Sequence, residues 1–321
     1  MDVIYTDAQL NELGVLNSFS LDVDVAGDMD FELKMPLENN PLQIGYYWYI
    51  EGTEYGGRID CINAYTSSDK VVFAGRTWRG MLDTKVVSPP EGEAYRYANG
   101  SWRPLVAELF SDLGLSDLFL AVESDFSVVN RKIDRYVTLL TALNKMLAAD
   151  DYRITLEMRE GRVRVGAVKI RDLTDSVQYE TGDQVNLSVT VNKGGVNHLI
   201  CLGQGELTER EVVHLYCTAT GAITELEQYY TGLDEIVATY ENTGAQTCEE
   251  LKQGGFERLV ELRNSQAFTV NVADSDPQIG DVVGGVERVT GIRVAAPVTN
   301  IIYKIDSAGT IKIEYKVGDN K

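Results

Sequence analysis

The sequence contains few of the residues on which histidine, metal or redox chemistry depends. Its 321 residues include only two histidines, His198 and His214, and four cysteines. Histidine is the commonest general base near neutral pH and the commonest metal ligand, so two copies in strand-like sequence disfavour both roles. We interpret both histidines as structural strand residues and predict no catalytic residue, no metal site and no cofactor.

The cysteines have no arrangement typical of a bound metal or a redox pair. Cys61, Cys201, Cys217 and Cys248 are widely separated. His198 lies three residues before Cys201, but the pair lacks the doubled spacing of zinc sites. A chain of this length needs no disulfide to stabilise its core, so we expect free thiols in a reducing cytoplasm.

Segments that direct proteins into or across membranes are also missing. The N-terminus has no basic stretch followed by an apolar one, which disfavours a signal peptide. No apolar run approaches the roughly 18 residues that a spanning helix needs. We therefore expect a soluble protein, made in the cytoplasm, that does not insert into membranes.

Acidic residues dominate the charge. Lysine and arginine total 29, aspartate and glutamate total 49, and the formal net charge is −20. Such a chain repels nucleic acid phosphates unless a local basic patch intervenes, so we expect no stable nucleic acid binding. The densest basic group (Arg153, Arg159, Arg162 and Arg164, beside Glu157 and Glu160) is interpreted as a solvated strand face.

Known catalytic motifs are absent as well. The sequence has no G-x-S-x-G, H-E-x-x-H or G-x-x-x-x-G-K motif. Carboxylates are abundant, so a glycosidase pair stays open, because the separation that it needs across a cleft is not visible in sequence. Asp274, Asp276 and Asp281 suggest calcium, but they lack the glycine and terminal glutamate of an EF-hand loop, and a turn before a strand is the favoured interpretation.

Hydrophobic patterning predicts a mainly β fold. Apolar residues alternate with polar ones over 21–25 and 31–35, which indicates strands with one buried face. The pattern breaks at Ser88–Gly92, where we place a domain boundary. Helical spacing then predicts helices over 104–113 and 134–149, followed by a hairpin over 152–170. Strands return from about residue 177, with one more helix over 248–264, where Thr247 and Glu250 form a capping box and Gly254-Gly255 suggests a close backbone contact.

Two distant stretches share a skeleton. The first contains Phe31-x-Leu33-x-Met35, Ile44-Gly45 and Gly57-x-Ile59. The second contains Phe268-x-Val270-x-Val272, Ile279-Gly280 and Gly291-Ile292. Each predicts a strand, a turn into a second strand, and a turn into a third. We predict two related small β-barrel domains, over 1–92 and 176–321, with an α+β insert over 93–175.

Aromatic residues concentrate in the run Tyr46–Tyr49. Such a run could form a sugar-binding platform, but side chains of a strand alternate between faces, so only half share a surface. Core and subunit packing is the favoured interpretation. The candidate fold or interface residues are Tyr47, Trp48, Tyr55, Gly57, Trp78, Gly280 and Gly291.

Several stretches together carry a resemblance to a known family. They cover residues 52–60 (GTEYGGRID), 75–80 (GRTWRG), 197–206 (NHLICLGQGE), 230–235 (YTGLDE), 257–264 (ERLVELRN) and 279–285 (IGDVVGG). In this order, over nearly the whole chain, they resemble the tail-hub proteins of phages and prophages, especially long-tailed phages of Gram-positive hosts. These are similar to the baseplate hub of contractile-tailed phages, in which two related barrels per chain form a trimer with pseudo-sixfold symmetry.

The resemblance implies a structural role at the virion tail tip, or at the tip of a phage tail-like particle, with assembly in the host cytoplasm. It implies a homotrimer that contacts the tail tube or distal tail protein, the C-terminus of the tape-measure protein, and a central spike, fibre or receptor-binding protein. DNA would pass through its channel without stable binding. The chain ends soon after its final hairpin, so a C-terminal hydrolase or fibre is not expected. The alternatives are a tail-associated cell-wall hydrolase and a carbohydrate-binding adhesin.

Overall fold

A computed structural model describes most of the chain, in two compact units. The described residues are 2–38, 40–65, 67, 69–174, 178–180, 187–192, 194–218, 222–245, 247–263, 265–271, 276–286 and 293–318. The first unit comprises Met1–Leu187 and Thr269–Val317, and the second comprises Ser188–Phe268 and Gly318–Lys321. The predicted domain boundaries at residues 92 and 175 stay predictions.

The elements are as follows. Residues 2–101 contain β1 (Ile4–Thr6), β2 (Glu12–Val15), β3 (Ser20–Asp24), β4 (Asp30–Pro36), β5 (Tyr47–Tyr49), β6 (Gly56–Tyr65), β7 (Lys70–Thr77), α1 (Trp78–Asp83), β8 (Val86–Val87) and β9 (Arg96–Ser101). Residues 102–180 contain α2 (Trp102–Asp112), β10 (Phe119–Ala121), β11 (Ser127–Ile133), β12 (Val137–Thr138), α3 (Leu139–Ala148), β13 (Tyr152–Arg159), β14 (Arg162–Lys169) and β15 (Gln178–Glu180).

The remaining elements complete the chain. They are β16 (Leu187–Asn192), β17 (His198–Leu202), β18 (Val212–Cys217), β19 (Ile223–Thr224), β20 (Val237–Glu241), α4 (Cys248–Leu262), β21 (Ser265–Asn271), β22 (Val282–Val286), β23 (Arg293–Ile305) and β24 (Ile311–Gly318). Short 3-10 helices cover Leu207–Glu209 and Gly232–Asp234. The predicted mainly β fold with an α+β portion is confirmed.

One large sheet organises the first unit. Within this unit its strand order is β21-β24-β23-β3-β4-β7-β6-β5-β1-β2, and the first half of β23 also pairs with β22. The alternation predicted for β3 and β4 is observed: Leu21 and Val23 are buried in β3, Phe31, Leu33 and Met35 are buried in β4, and the other residues of the two strands are not buried. The ring of Phe31 meets that of Trp48 edge-on, with centroids 5.0 Å apart. Burial of these faces supplies the main free energy that holds the strands together.

The predicted repeat has a counterpart in strand order. In the first segment the order is β4-β7-β6-β5, and in the second it is β21-β24-β23-β22, with β21 belonging to this unit from Thr269 onward. In the first segment, β4 and the turn after it are followed by β5, which pairs with β6 of the antiparallel β6–β7 hairpin. In the second segment, β21 and its turn are followed by β22, which pairs with β23 of the antiparallel β23–β24 hairpin. Val272, Gly291 and Ile292 lie outside the described residues.

The two turns also agree in hydrogen bonding. Residues 43–45 and 278–280 both read Gln-Ile-Gly, and the glycines have φ of +88° and +93°. Tyr46 N donates to the Gln43 carbonyl at 3.2 Å, and Asp281 N donates to the Gln278 carbonyl at 2.9 Å. Positive φ at the third turn position favours glycine, which explains why both copies carry it.

The same glycines anchor their turns to the neighbouring hairpin. Gly45 N donates to the Ile59 carbonyl and Gly280 N to the Val298 carbonyl, each at 2.8 Å. The return bonds run from Ile59 N to Tyr46, at 2.9 Å, and from Val298 N to Asp281, at 2.8 Å. The described parts of the two segments therefore share sequence, turn geometry and pairing.

The core of the α+β portion is continuous with Tyr49 of β5 and with Trp78 and Leu82 of α1. The hairpin of β13 and β14 pairs with β10, and the buried residues of α2 and α3 belong to the same cluster as those of the hairpin. Trp102 and Leu139, which begin the two helices, are both fully buried. The predicted hairpin and the predicted helix over 104–113 are confirmed, with the helix beginning two residues earlier.

Some predicted boundaries in this portion are wrong. The helix expected from residue 134 begins at Leu139, because Tyr136 has φ of +55° and Thr138 caps the helix by accepting from Thr141 N. Strands β9 and β11, which form a two-stranded sheet, were not predicted. Their sequences lack a strict alternation, and an irregular register between Val128 and Arg131 breaks the pattern.

The second unit contains a smaller sheet and one helix. The strand order is β19-β18-β17-β20, and α4 contributes Leu251 and Leu259 to a core with Leu199 and Leu215. The Thr247 side chain caps α4 by accepting from Glu250 N at 3.2 Å, as predicted. The close backbone contact expected at Gly254-Gly255 is confirmed, because a Cβ at Gly255 would overlap the Cys201 sulfur.

We predict that Gly57→Ala destabilises the first unit by about 1–3 kcal/mol. A Cβ at residue 57 would overlap the Arg76 carbonyl and lie 2.9 Å from the Phe31 ring. Urea unfolding followed by tryptophan fluorescence measures this, since all three tryptophans lie in the first unit. Ala64→Ser, which adds one atom to the exposed end of the same strand, should change stability by less than about 0.5 kcal/mol. Equal midpoints for the two variants would contradict the close packing at Gly57.

Candidate assembly surface

The aromatic run is divided between core and surface. Trp48 is fully buried against Phe31, whereas Tyr47 is half-buried and lies over Trp78, with ring centroids 6.3 Å apart and 24° between planes. The Arg58 guanidinium also lies over the Tyr47 ring, with its carbon 6.0 Å from the ring centroid. The run does not form one flat platform, and Tyr47 alone borders an open groove.

That groove has a volume of about 590 Å³. Its walls come from the loop after β1, from β5 to β7, from the end of α1 and from the segment after α2. The lining residues are Ala8, Gln9, Leu10, Tyr47, Arg58, Arg76, Met81, Thr84, Lys85, Gly114, Leu115, Asp117, Leu118 and Phe119. We call it the Arg58 groove. The buried side chains of Leu115, Leu118 and Phe119 give it an apolar floor.

Two of its three cations make no ion pair among the described residues, although the charge of Arg58 also lowers the pKa of Asp60. Arg76 binds Asp60 through two hydrogen bonds, of 2.7 and 2.8 Å, and these bonds lower the pKa of that carboxyl. Arg58 and Lys85 make no ion pair in the described part of the chain, and the Arg58 Nε is buried without a hydrogen bond there. The lining of the groove, with three cations against Asp117, is therefore mainly positive and suits an incoming acidic group.

Tyr55 stacks on another ring, whereas Trp78 packs against the backbone of a glycine. The Tyr55 ring stacks on Tyr303 with centroids 4.0 Å apart, and burial raises the pKa of both hydroxyls, to about 12 for Tyr303. Gly56 packs against the fully buried Trp78, where a Cβ would lie 2.5 Å from the indole. Gly57 and Trp78 are therefore buried, whereas Tyr55 is partly buried.

Gly280 precedes a buried charge cluster that sequence reasoning did not find. Asp281 is fully buried, and it accepts from Arg153 Nε at 2.9 Å and from Arg171 Nε at 2.9 Å. The Gln278 amide donates to the same carboxylate at 2.9 Å. Burial alone would raise the pKa of Asp281, but the hydrogen bonds from Arg171 and Gln278 and the charge of Arg153 outweigh it, so the pKa is lowered.

One expectation about the charged residues changes with this cluster. Arg153 is not on a solvated face, because its side chain is 11% exposed and points at Asp281. Calcium is not needed at Asp281, since two arginines neutralise it. Gly280 itself lies against the Arg153 side chain, where a Cβ would be 3.1 Å from Cδ. Asp274 and Gly291 lie outside the described residues.

The two histidines meet in the second unit. His198 Nδ1 lies 2.6 Å from Glu235 Oε1, and His198 Nε2 lies 2.8 Å from His214 Nδ1. The rings also pack on Tyr216. Both ring nitrogens of His198 thus have hydrogen-bond partners, and the contact with His214 joins β17 to β18.

Sites for other chemistry are not found in the described ranges. Among these residues, no group of three or more histidine, cysteine, aspartate or glutamate side chains is placed to hold a metal ion. No helix within them is long and apolar enough to cross a membrane. Burial raises the pKa of the Cys201 thiol to about 11, which disfavours the reactive thiolate.

We predict that Asp281→Asn lowers the stability of the first unit by about 3 kcal/mol at pH 7, because Arg153 loses its buried partner. The folded pKa of Asp281 lies below its unfolded value of about 3.9, so its contribution is complete above that value and is lost as pH falls through the folded pKa. The difference between wild type and variant should therefore shrink below about pH 4.

Urea unfolding at several pH values measures this effect. Glu38→Gln, at an exposed carboxylate, serves as the matched control and should differ from wild type by less than about 0.5 kcal/mol at pH 7. If the stability difference between wild type and the Asp281→Asn variant stays constant as the pH falls to about 2, the charge of Asp281 contributes nothing.

Solved structures of tail proteins share this fold. The tail protein from Neisseria meningitidis MC58 matches with a TM-score of 0.57 and 13% identity, over 99% of this chain and 96% of that chain. Prophage tail protein gp18 from Listeria monocytogenes EGD-e gives 0.55 and 12%, over 100% and 95%. The 43 kDa tail protein of prophage MuSo2 from Shewanella oneidensis gives 0.58 and 12%, over 99% and 98%.

Comparison with curated protein sequences found no match. A family model described as Siphovirus ReqiPepy6 Gp37-like protein matches residues 119–319, more than half of the chain. The predicted resemblance to phage and prophage tail proteins is thereby confirmed, while the Gram-positive host stays a prediction. With this match and the shared tail-protein fold, the chain belongs to the Siphovirus ReqiPepy6 Gp37-like protein family.

Proposed function

We propose that this chain is a structural protein of a phage-type tail that acts as the hub of the tail tip or baseplate. Three copies form a ring with pseudo-sixfold symmetry, which joins the tail tube to a central spike or receptor-binding tip. The observation that carries the proposal is the repeated strand segment, β4 to β7 and β21 to β24, with its duplicated Gln-Ile-Gly turn.

The physical argument is one of symmetry. Oligomers of identical chains favour closed rings, because closure satisfies every interface. Two related segments per chain allow three chains to present six similar surfaces to a sixfold tube. The family of this chain and the fold that it shares with three tail proteins support the proposal that the repeat serves to match a sixfold tube.

An open sheet edge supports assembly through strands. β2 is the last strand on its side of the sheet of the first unit, and it exposes Leu13 (48%) and Val15 (42%). Exposed strand edges with apolar side chains are prone to pair with another chain. Edge-to-edge joining in a ring would cover this edge.

The proposed partners follow from the position in the particle. They are the tail tube or distal tail protein, the C-terminus of the tape-measure protein, and a spike, fibre or receptor-binding protein carried by another chain. The proposed location is the virion tail tip, or that of a phage tail-like particle, after assembly in the host cytoplasm. The net charge of −20 supports a channel that DNA passes without binding.

Electron microscopy of purified particles should count three copies of this chain at the tip, arranged around the tail axis. Native mass spectrometry of the purified chain with tail partners should give the mass of a trimer, since closed rings of this kind bury large interfaces. Monomer alone at micromolar concentration with partners present, or a copy number that does not fit a trimer, would contradict the hub role.

We further propose that the chain is not an enzyme. Burial and the charges of Asp28, Asp24 and Asp22 raise the pKa of Asp30, as a general acid requires. However, Asp30 begins β4 at an exposed hairpin rather than in a cavity. The partly buried carboxylate of Glu54 and the fully buried carboxylate of Asp281 are each paired with arginine, which leaves neither free for proton transfer.

A peptidoglycan zymogram tests this second proposal. We expect no clearing by the purified chain at any pH from 4 to 8. Clearing by the wild type that is lost in Asp30→Asn, with folding unchanged by circular dichroism, would support the cell-wall hydrolase instead.

A further inference from the structure

The second unit carries an exposed acidic segment. Residues 225–236, here called the arm, join β19 to β20 without a strand or α-helix, apart from one 3-10 turn at Gly232–Asp234. Leu226 and Leu233 are 95% and 104% exposed, and Tyr229 is 60% exposed. Large apolar side chains held in solvent this fully mark an interaction site when they cluster.

Hydrogen bonds and an ion pair hold the arm in one conformation. Lys252 Nζ lies 2.8 Å from Glu225 near its start, and Asn197 donates to the Asp234 carbonyl at 2.7 Å near its end. Gln228 donates to Glu235 at 2.7 Å and so closes the segment on itself. A segment that is already ordered loses less conformational entropy on binding, which favours a docking role.

The charges of the arm are all negative. It contains Glu225, Glu227, Asp234 and Glu235 and no lysine or arginine. Glu225 pairs with Lys252, and Glu235 binds His198. Glu227 and the Asp234 side chain make no ion pair within the described residues. The arm therefore offers two unneutralised carboxylates beside its leucines, and its partner must be both basic and apolar.

The Arg58 groove has the complementary chemistry. It offers Arg58 and Lys85, which make no ion pair in the described ranges, against one lining acid, Asp117. Leu115, Leu118 and Phe119 supply an apolar floor, and Tyr47 an aromatic wall. Its volume of about 590 Å³ is in the range that accommodates several side chains.

We infer that the arm of one copy docks in the Arg58 groove of a second copy. The contact joins two different surfaces, so it is heterologous, and repeating it around an axis generates a ring. In a chain with a net charge of −20, copies repel one another unless a local basic surface receives an acidic one, and the groove is that surface. This inference rests on the proposed ring and names the contact that builds it.

Photo-crosslinking tests the contact in the full-length chain. A benzophenone amino acid replaces Leu226, and unlabelled and 15N-labelled copies are mixed before assembly and irradiation. We expect crosslinked peptides that join residue 226 of one isotope to residues 8–10, 81–85 or 114–119 of the other. The matched control carries the probe at Val129, an apolar residue that is 85% exposed and outside the groove, and should give no such peptides.

Several crosslinking results would overturn the inference: peptides within one copy only, peptides to another tail protein, or no peptides from assembled particles. A trimer that forms without arm crosslinks contradicts the contact and leaves the proposed hub standing. Crosslinked copies without a closed ring contradict the hub and leave the contact standing.

Charge reversal provides an independent measurement. Arg58→Glu and Glu227→Arg should each weaken association at least about tenfold by analytical ultracentrifugation, and the double variant should recover part of the loss. Glu227 is exposed, so its variant should fold normally, which circular dichroism checks. Unchanged association in both single variants would overturn the docking of the arm in this groove.

Discussion

The ion pairs of the buried Asp281 carboxylate hold distant segments of the first unit together. A charge with no solvent exposure is tolerated only when it is fully paired, and Asp281 is paired with Arg153 and Arg171. Arg153 comes from the β13–β14 hairpin, whereas Asp281 directly follows the second Gln-Ile-Gly turn. The pair thus fixes that turn against the α+β portion of the chain.

The two copies of the turn show how one backbone is used with different packing. Both have a glycine in the left-handed region and the same pair of hydrogen bonds to the next hairpin. The residue after the glycine is Tyr46 in the first copy and Asp281 in the second. The first therefore continues into the aromatic strand β5, and the second into the ion-pair cluster. A duplicated segment whose two copies pack against different neighbours is expected to keep its backbone geometry while its side chains diverge.

Assembly and catalysis place opposite demands on a surface. A catalytic site collects titratable groups with shifted pKa values in a cavity, whereas an assembly surface exposes apolar side chains and unpaired charges. In the proposed ring, the Arg58 groove and the arm would be of the second kind. By contrast, the carboxylates of Glu54 and Asp281 are neutralised by arginine. Among the described residues, the groove and the arm carry surface charges that make no ion pair.

The sequence by itself determined the mainly β class, the hairpin β13–β14, helix α2, the capped start of α4 and the repeat. These features follow from local signals: period-two alternation, helical spacing, a threonine cap and glycines that need positive φ. It also singled out Tyr47, which borders the groove, although it could not separate Tyr47 from the buried Trp48. Alternation states that neighbours face opposite ways, but not which face meets solvent.

Only the tertiary structure decided the rest. Arg153 and Asp281 are 128 residues apart, and the groove gathers residues from 8 to 119, so no local pattern announces either. Helix α1 was not predicted because its six residues are too few for a periodic signal, and Thr77 caps it inside a continuous strand sequence. Local physics sets which elements form, whereas the pairing of charges and the lining of a groove depend on how distant segments pack.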